Sequence, residues 1–136
     1  MYKYKIVHKD IKPTNIMNGR GKYKKNLFLI DFGISDLRKK VKSEKFLNTN
    51  IVGAPIYESI NSHMGFEALY KDDLESLMYT IVFLRNGVLP WSYNASRTYE
   101  GRREFMKEGK LATTTEELMQ GLPVEYCEIF NYIKSI

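Results

Sequence analysis

The chain has 136 residues, 43% hydrophobic and 27% charged, with one cysteine and a formal net charge of +5. This is the size of one ordinary domain with enough apolar material for a core, which excludes wholesale disorder. The lone Cys127 excludes an intrachain disulfide framework and a cysteine-rich zinc site, and no run of 18 apolar residues is present to cross a membrane as a helix.

The charge is uneven. Residues 1–45 carry 13 Lys/Arg and 4 Asp/Glu, whereas residues 46–136 carry 8 and 12. A basic first third suits nucleic acid, a membrane surface or a phosphorylated partner, but the lysines form no helical stripe, so a solvated loop is expected. Met1-Tyr2-Lys3-Tyr4-Lys5 is basic without the apolar core of a signal peptide, which points to an intracellular protein of the cytoplasm or nucleus. No repeat, low-complexity stretch or Pro/Gly/Ser-rich linker divides the chain, so one structural unit is expected.

In chain order, Ile6-Val7 leads into a polar loop over residues 8–15. Asn15-Ile16-Met17 and Leu27-Phe28-Leu29-Ile30 are strand-like, and the turn formers of residues 18–26 make them a hairpin with a basic tip. Asp31-Phe32-Gly33 follows directly, and residues 34–56 have no sustained period and predict an irregular loop. From Lys71 the period becomes helical. Asp72 and Asp73 supply the N-terminal charge and cap, and Leu74, Leu77, Met78, Ile81, Val82 and Leu84 recur at helical spacing. Tyr79 and Phe83 make other faces apolar too, which predicts a buried helix. Asn86-Gly87 ends it and Pro90 prevents a restart. Further helices are predicted near 98–108 and 115–120. A last one follows Pro123, with Tyr126, Ile129, Phe130, Ile133 and Ile136 on one face. That face is still running at the last residue, so the sequence is expected to be cut before its natural end.

The segment Val7-His8-Lys9-Asp10-Ile11-Lys12-Pro13-Thr14-Asn15 carries the chemistry. Its hairpin brings Asn15 close to Asp31, and an Asn with an Asp supplies hard oxygen ligands suited to Mg²⁺, which takes waters and phosphate oxygens for its other positions. Asp10 is placed to orient a hydroxyl and accept its proton, and Lys12 to offset charge on a phosphoryl group in transfer.

These residues resemble the protein kinase catalytic loop (His8 to Asn15) and its metal-binding triplet (Asp31-Phe32-Gly33), in order and with a hairpin between them. The Asp-Ile-Lys-Pro form, with Ile11 and Pro13, is similar to casein kinase 1. So are Ser59-Ile60-Asn61-Ser62-His63-Met64-Gly65, Lys71-Asp72-Asp73-Leu74-Glu75-Ser76-Leu77 and Gly87-Val88-Leu89-Pro90-Trp91. The resemblance, continuing weakly through Gly121-Leu122-Pro123, covers nearly the whole chain.

It implies a mainly α fold, the C-terminal lobe of the α+β kinase fold: a helical lobe with short β-hairpins at the active-site edge. Residues 1–136 would then be a partial kinase domain lacking the N-lobe and the final helices. The implied activity is ATP-dependent phosphorylation of Ser/Thr hydroxyls on a protein substrate, with ATP and Mg²⁺ as cofactors. Asp10 and Lys12 would be catalytic, Asn15 and Asp31 metal-binding, and His8, Lys9, Phe32, Gly33 and Asp73 would support the site. Asp73 is expected to bond to the loop backbone, although a plain helix cap accounts for it as well.

Three departures stand out. Lys9 replaces an arginine whose planar fork helps set the activation segment, and lysine keeps only the charge. Gly53-Ala54-Pro55-Ile56-Tyr57 resembles a family segment reading Gly-Thr-Ala-Arg-Tyr. Ile56 thus replaces an arginine linked to acidic or phosphorylated substrates, and Arg102 is the remaining candidate anion contact. No glycine-rich loop, strand lysine with a helix glutamate partner, or hinge is present; Gly19-Arg20-Gly21 fits a hairpin turn. The isolated chain is therefore expected to be inactive and to expose apolar surface.

Other candidates are weaker. His8 and His63 lack partners at zinc-ligand spacing; His8 is expected to pack within the loop and His63 to cap a helix or lie at the surface. Cys127, without a paired base, is expected to be a neutral or buried thiol. Tyr2, Tyr4 and Tyr23 interleave with lysines, but no nucleic-acid module is recognisable, so specific nucleic-acid binding is not expected, nor is membrane association. The alternative to an enzyme is a non-catalytic kinase-like binding or scaffold module.

Overall fold

The computed structural model describes residues 4–37, 54–93, 96 and 98–136. It is mainly helical, with two small antiparallel sheets. Strand β1 (Ile6–Val7) leads into the polar loop, followed by the hairpin of β2 (Ile16–Asn18) and β3 (Leu27–Leu29), then β4 (Asp36–Leu37). The helices are α1 (Ile60–His63), α2 (Tyr70–Asn86), α3 (Tyr99–Ala112), α4 (Thr115–Leu118) and α5 (Val124–Ser135). Among the described residues no helix is long and apolar enough to cross a membrane.

The predicted hairpin is present. Ile16 pairs with Leu29 and Asn18 with Leu27, and Gly19 N donates to Asn26 O at 2.9 Å to close the connection. A side chain at Gly19 would run into the Tyr23 carbonyl, which is why glycine stands there. The predicted irregular stretch 34–56 is regular at one point. Asp36–Leu37 pairs with β1, Val7 opposite Asp36, and returns the chain beside the polar loop. The part over 38–53 lies outside the described residues.

Helix α2 begins one residue earlier than predicted. Asp72 is not its first cap but its third residue, reaching back to accept from Leu69 N at 2.6 Å. Gly87 ends it at φ 73°, its N–H bonded to Phe83 O at 2.7 Å, a left-handed cap that glycine adopts freely.

The core gathers Met78, Tyr79 and Val82 of α2, Leu89 and Trp91 of the following turn, Leu118 and Met119, and Phe130 and Ile133 of α5. The Trp91 ring meets Tyr79 edge to face at 4.9 Å, and its Nε1 donates to Ile56 O at 2.8 Å.

The expectation that α2 is buried all round is corrected. Leu74 is 42% and Leu84 63% exposed. Leu74 and Leu77 instead line an open apolar groove of about 900 Å³, shared with Ile11, Ile16, Phe28 and Ile136. The stripe on α5 divides similarly: Phe130 and Ile133 are buried, whereas Ile129 and Ile136 are about half exposed.

Gly109 of α3 lies against Trp91. An added Cβ would stand 2.7 Å from the Trp91 Cβ, and the bond to Ile56 O keeps that indole from yielding. Alanine favours helix by up to about 1 kcal/mol, but overpacking costs roughly 1–3 kcal/mol. Gly109→Ala is therefore expected to lower stability by about 1 kcal/mol in urea denaturation, against the helix propensity.

Candidate active site

The 8–15 loop is held from behind by α2. Asp73 accepts from His8 N at 2.7 Å and from Lys9 N at 2.9 Å. Two successive N–H groups converge on one carboxylate, and the chain then turns through a left-handed Lys9, at φ 69°. That conformation costs a non-glycine residue roughly 1–2 kcal/mol, which the two charge-assisted bonds offset. Burial raises the Asp73 pKa, and the two N–H donors oppose that rise. The Lys9 ammonium reaches Asp36 of β4 at 3.4 Å.

His8 is fully buried and joins the loop to the segment after β3. Its Nδ1 accepts from Asp10 N at 3.3 Å, so the ring hydrogen sits on Nε2, which donates to Ile30 O at 3.0 Å. Phe32 meets the ring edge to face at 4.8 Å, and Ser35 Oγ donates to His8 O at 3.3 Å.

These restraints set Asp10. Its Oδ2 accepts from Lys12 Nζ at 2.7 Å and Asn15 Nδ2 at 3.1 Å. Its Oδ1 is buried and, among the described residues, has no hydrogen-bond partner. Asn15, also buried, gives Nδ2 to Asp10 O at 2.8 Å as well, so its own oxygen is turned elsewhere. Ile30 N donates to Asn15 O at 2.9 Å, one step beyond the hairpin ladder, and brings Asp31 to the same edge. Asp31 is exposed and left-handed at φ 63°, with Oδ1 accepting from Gly33 N at 3.3 Å.

The donor set suits a hard divalent cation that keeps other ligands. Asn15 offers an amide oxygen whose NH₂ is already committed, and Asp31 an exposed carboxylate. Among the described residues no group of three or more His, Cys, Asp or Glu forms a self-sufficient metal site. A cation here would need oxygen atoms brought by a phosphate ligand or water.

Sequence reasoning missed a second cluster. Lys110 of α3 is 4% exposed, and its Nζ meets Pro55 O at 2.7 Å, Glu58 O at 2.6 Å and His63 Nε2 at 2.8 Å. With the imidazole hydrogen on Nδ1, three ammonium hydrogens face three acceptors; with it on Nε2, the ring instead donates to Pro55 O at 3.1 Å. Burial still brings the lysine pKa down to about 7, against the pull of Glu58 and Glu75. Arg103 sits one residue past the predicted anion contact Arg102, which is itself exposed on α3. Arg103 forks onto Glu58 at 2.9 and 3.2 Å and bonds the carbonyls of Ser62 and His63.

His63, expected as a cap or surface residue, is buried at 4% exposure, because the lysine supplies its ring with a polar partner. Burial, then the charges of Lys110, Arg103 and Lys107, lower its pKa to about 3, although Glu58 lies 3.6 Å from Nδ1. The unfolded histidine takes its proton near pH 6.5 and the folded one only near 3. The His63 contribution to stability is therefore whole above pH 6.5 and falls as pH drops through that window, by at most about 1.4 kcal/mol per unit for one site. His63→Gln is expected to flatten this acid limb in a pH series of melting curves. An unchanged limb would place its cause elsewhere.

No family model matches the chain.

Proposed function

We propose that the chain is the catalytic-loop lobe of a serine/threonine protein kinase of the casein kinase 1 type. The observation that carries this reading is the Asp10 carboxylate. One oxygen is fixed by Lys12 and Asn15, and the other is buried without a donor among the described residues, next to the edge that presents Asp31. A buried acceptor lacking a partner is costly unless a ligand completes it, and a substrate hydroxyl is the donor that phosphoryl transfer needs there.

In this reading Asp10 orients the Ser or Thr hydroxyl and takes its proton, and Lys12 offsets charge on the moving phosphoryl group. Asn15 and Asp31 would hold Mg²⁺, which when bound neutralises the phosphates of ATP. His8, Lys9, Phe32, Gly33 and Asp73 keep these groups in place. The partner is a protein substrate.

The test is transfer of the γ-phosphate of labelled ATP to casein by the polypeptide its gene encodes, with and without Mg²⁺. Magnesium-dependent label on serine or threonine is expected, and its absence overturns the reading. The 136 residues alone are expected to give negligible transfer, since their sequence has no glycine-rich nucleotide loop. A binding or scaffold role is the second reading, favoured by the open apolar groove beside α2. It predicts no transfer.

A further inference from the structure

The first turn of α2 joins two segments that are far apart in sequence. Asp73 holds the backbone of His8 and Lys9. Its neighbour Asp72 accepts from Ser59 Oγ at 2.7 Å and Asn61 Nδ2 at 3.2 Å, and Glu75 accepts from Ile60 N at 2.8 Å. The loop that carries Asp10 and residues 59–61 therefore hang on adjacent residues of one rigid helix.

The same segment is gripped from its other side by α3. Lys110 takes the carbonyls of Pro55 and Glu58, and Arg103 takes those of Ser62 and His63, so both ends of residues 55–63 are bonded through their main chain. The lysine ammonium also lies 5.2 and 5.4 Å from the ring centres of Tyr79 and Trp91, which ties the grip to the core. A buried charge is a poor source of stability, since an apolar residue of similar volume often does as well. What it adds here is a fixed position for two carbonyls.

We propose that Lys110 is a positioning residue for substrate: by locking residues 55–63 between α2 and α3, it sets the wall on which a polypeptide lies while its hydroxyl meets Asp10. This rests on the kinase reading above. Lys110 touches neither substrate nor nucleotide in this account; it acts through the main chain of Pro55 and Glu58.

The experiment uses Lys110→Met and Glu58→Gln in the polypeptide the gene encodes. Glu58→Gln leaves the lysine in place and weakens the Arg103 fork and the acidic contact at His63 Nδ1, so it loosens residues 55–63 from the Arg103 side and still tests whether a gripped segment sets the casein KM if Lys110→Met fails to fold. Casein phosphorylation and amide hydrogen exchange are measured on each. Exchange over residues 55–63 is expected to quicken tenfold or more. KM for casein is expected to rise about tenfold, with kcat and KM for ATP within threefold of the wild type. Faster exchange with an unchanged casein KM overturns the positioning role, and unchanged exchange overturns the grip itself. If the wild type transfers no phosphate, the functional reading falls and this proposal with it. A wild type that is active beside variants with unaltered KM sinks this proposal alone.

Discussion

Asp73→Ala is expected to lower stability by about 2–4 kcal/mol and to reduce any phosphate transfer at least a hundredfold. Alanine strands the N–H groups of His8 and Lys9, which Asp73 now holds at 2.7 and 2.9 Å across 65 and 64 residues of sequence. An unsatisfied buried donor costs roughly 1–3 kcal/mol. Part of that is returned, because burial raises the Asp73 pKa and so already works against its charge. The left-handed Lys9 then loses what offsets its strain, and the turn relaxes toward ordinary backbone. Asp10 follows one residue later, so its carboxylate leaves Lys12 and Asn15. Asp73→Asn keeps one acceptor and turns an amide hydrogen toward the second donor, so it is expected to lie between wild type and alanine. Urea denaturation gives the stability order, and the amide signals of His8 and Lys9 report the loop. Unshifted His8 and Lys9 signals in Asp73→Ala would show that the loop holds its shape unaided.

Where structure depends on neighbours in sequence, the sequence announces it. The hairpin of β2 and β3 follows from two short apolar runs and a turn-rich connection, and α2 from its apolar period and the glycine beyond Asn86. Periodicity says which residues are apolar, not which are covered, and so Leu74 looked like core but lines an open groove. Asp72 and Asp73 look alike as acids at a helix start. One serves its own helix and Ser59, the other a loop 64 residues away, and only the resemblance to kinases pointed to the second role.

Lys110 was the least legible. In Glu108-Gly109-Lys110-Leu111 it looks like a solvated helix lysine, and its partners are carbonyls 52 and 55 residues upstream, which have no side-chain signature. His63 was misjudged for the same reason, because its burial follows from that lysine.

The second large effect is expected at Asp10. In the kinase reading proposed above, Asp10→Asn should lower kcat by roughly 10²–10⁴-fold, the usual worth of a positioned proton acceptor, while leaving the fold almost untouched. The amide keeps an oxygen for Lys12 and Asn15, which now share Oδ2 at 2.7 and 3.1 Å. It turns its NH₂ to the buried position where Oδ1 has no partner, so one unsatisfied group replaces another. What is lost for stability is the charge opposite Lys12, a partly exposed pair worth about 1 kcal/mol or less. What is lost for chemistry is a basic oxygen at that position, since an amide neither accepts a proton nor draws the hydroxyl hydrogen toward itself. Asn15 and Asp31 are unaltered, so KM for ATP should stay within threefold and the magnesium requirement should not move. Asp31→Asn should do the reverse, raising the magnesium needed for half-maximal rate while the fold again holds. Should Asp10→Asn keep more than a tenth of the wild-type kcat, the proton acceptor lies elsewhere and the role assigned to the 8–15 loop is wrong.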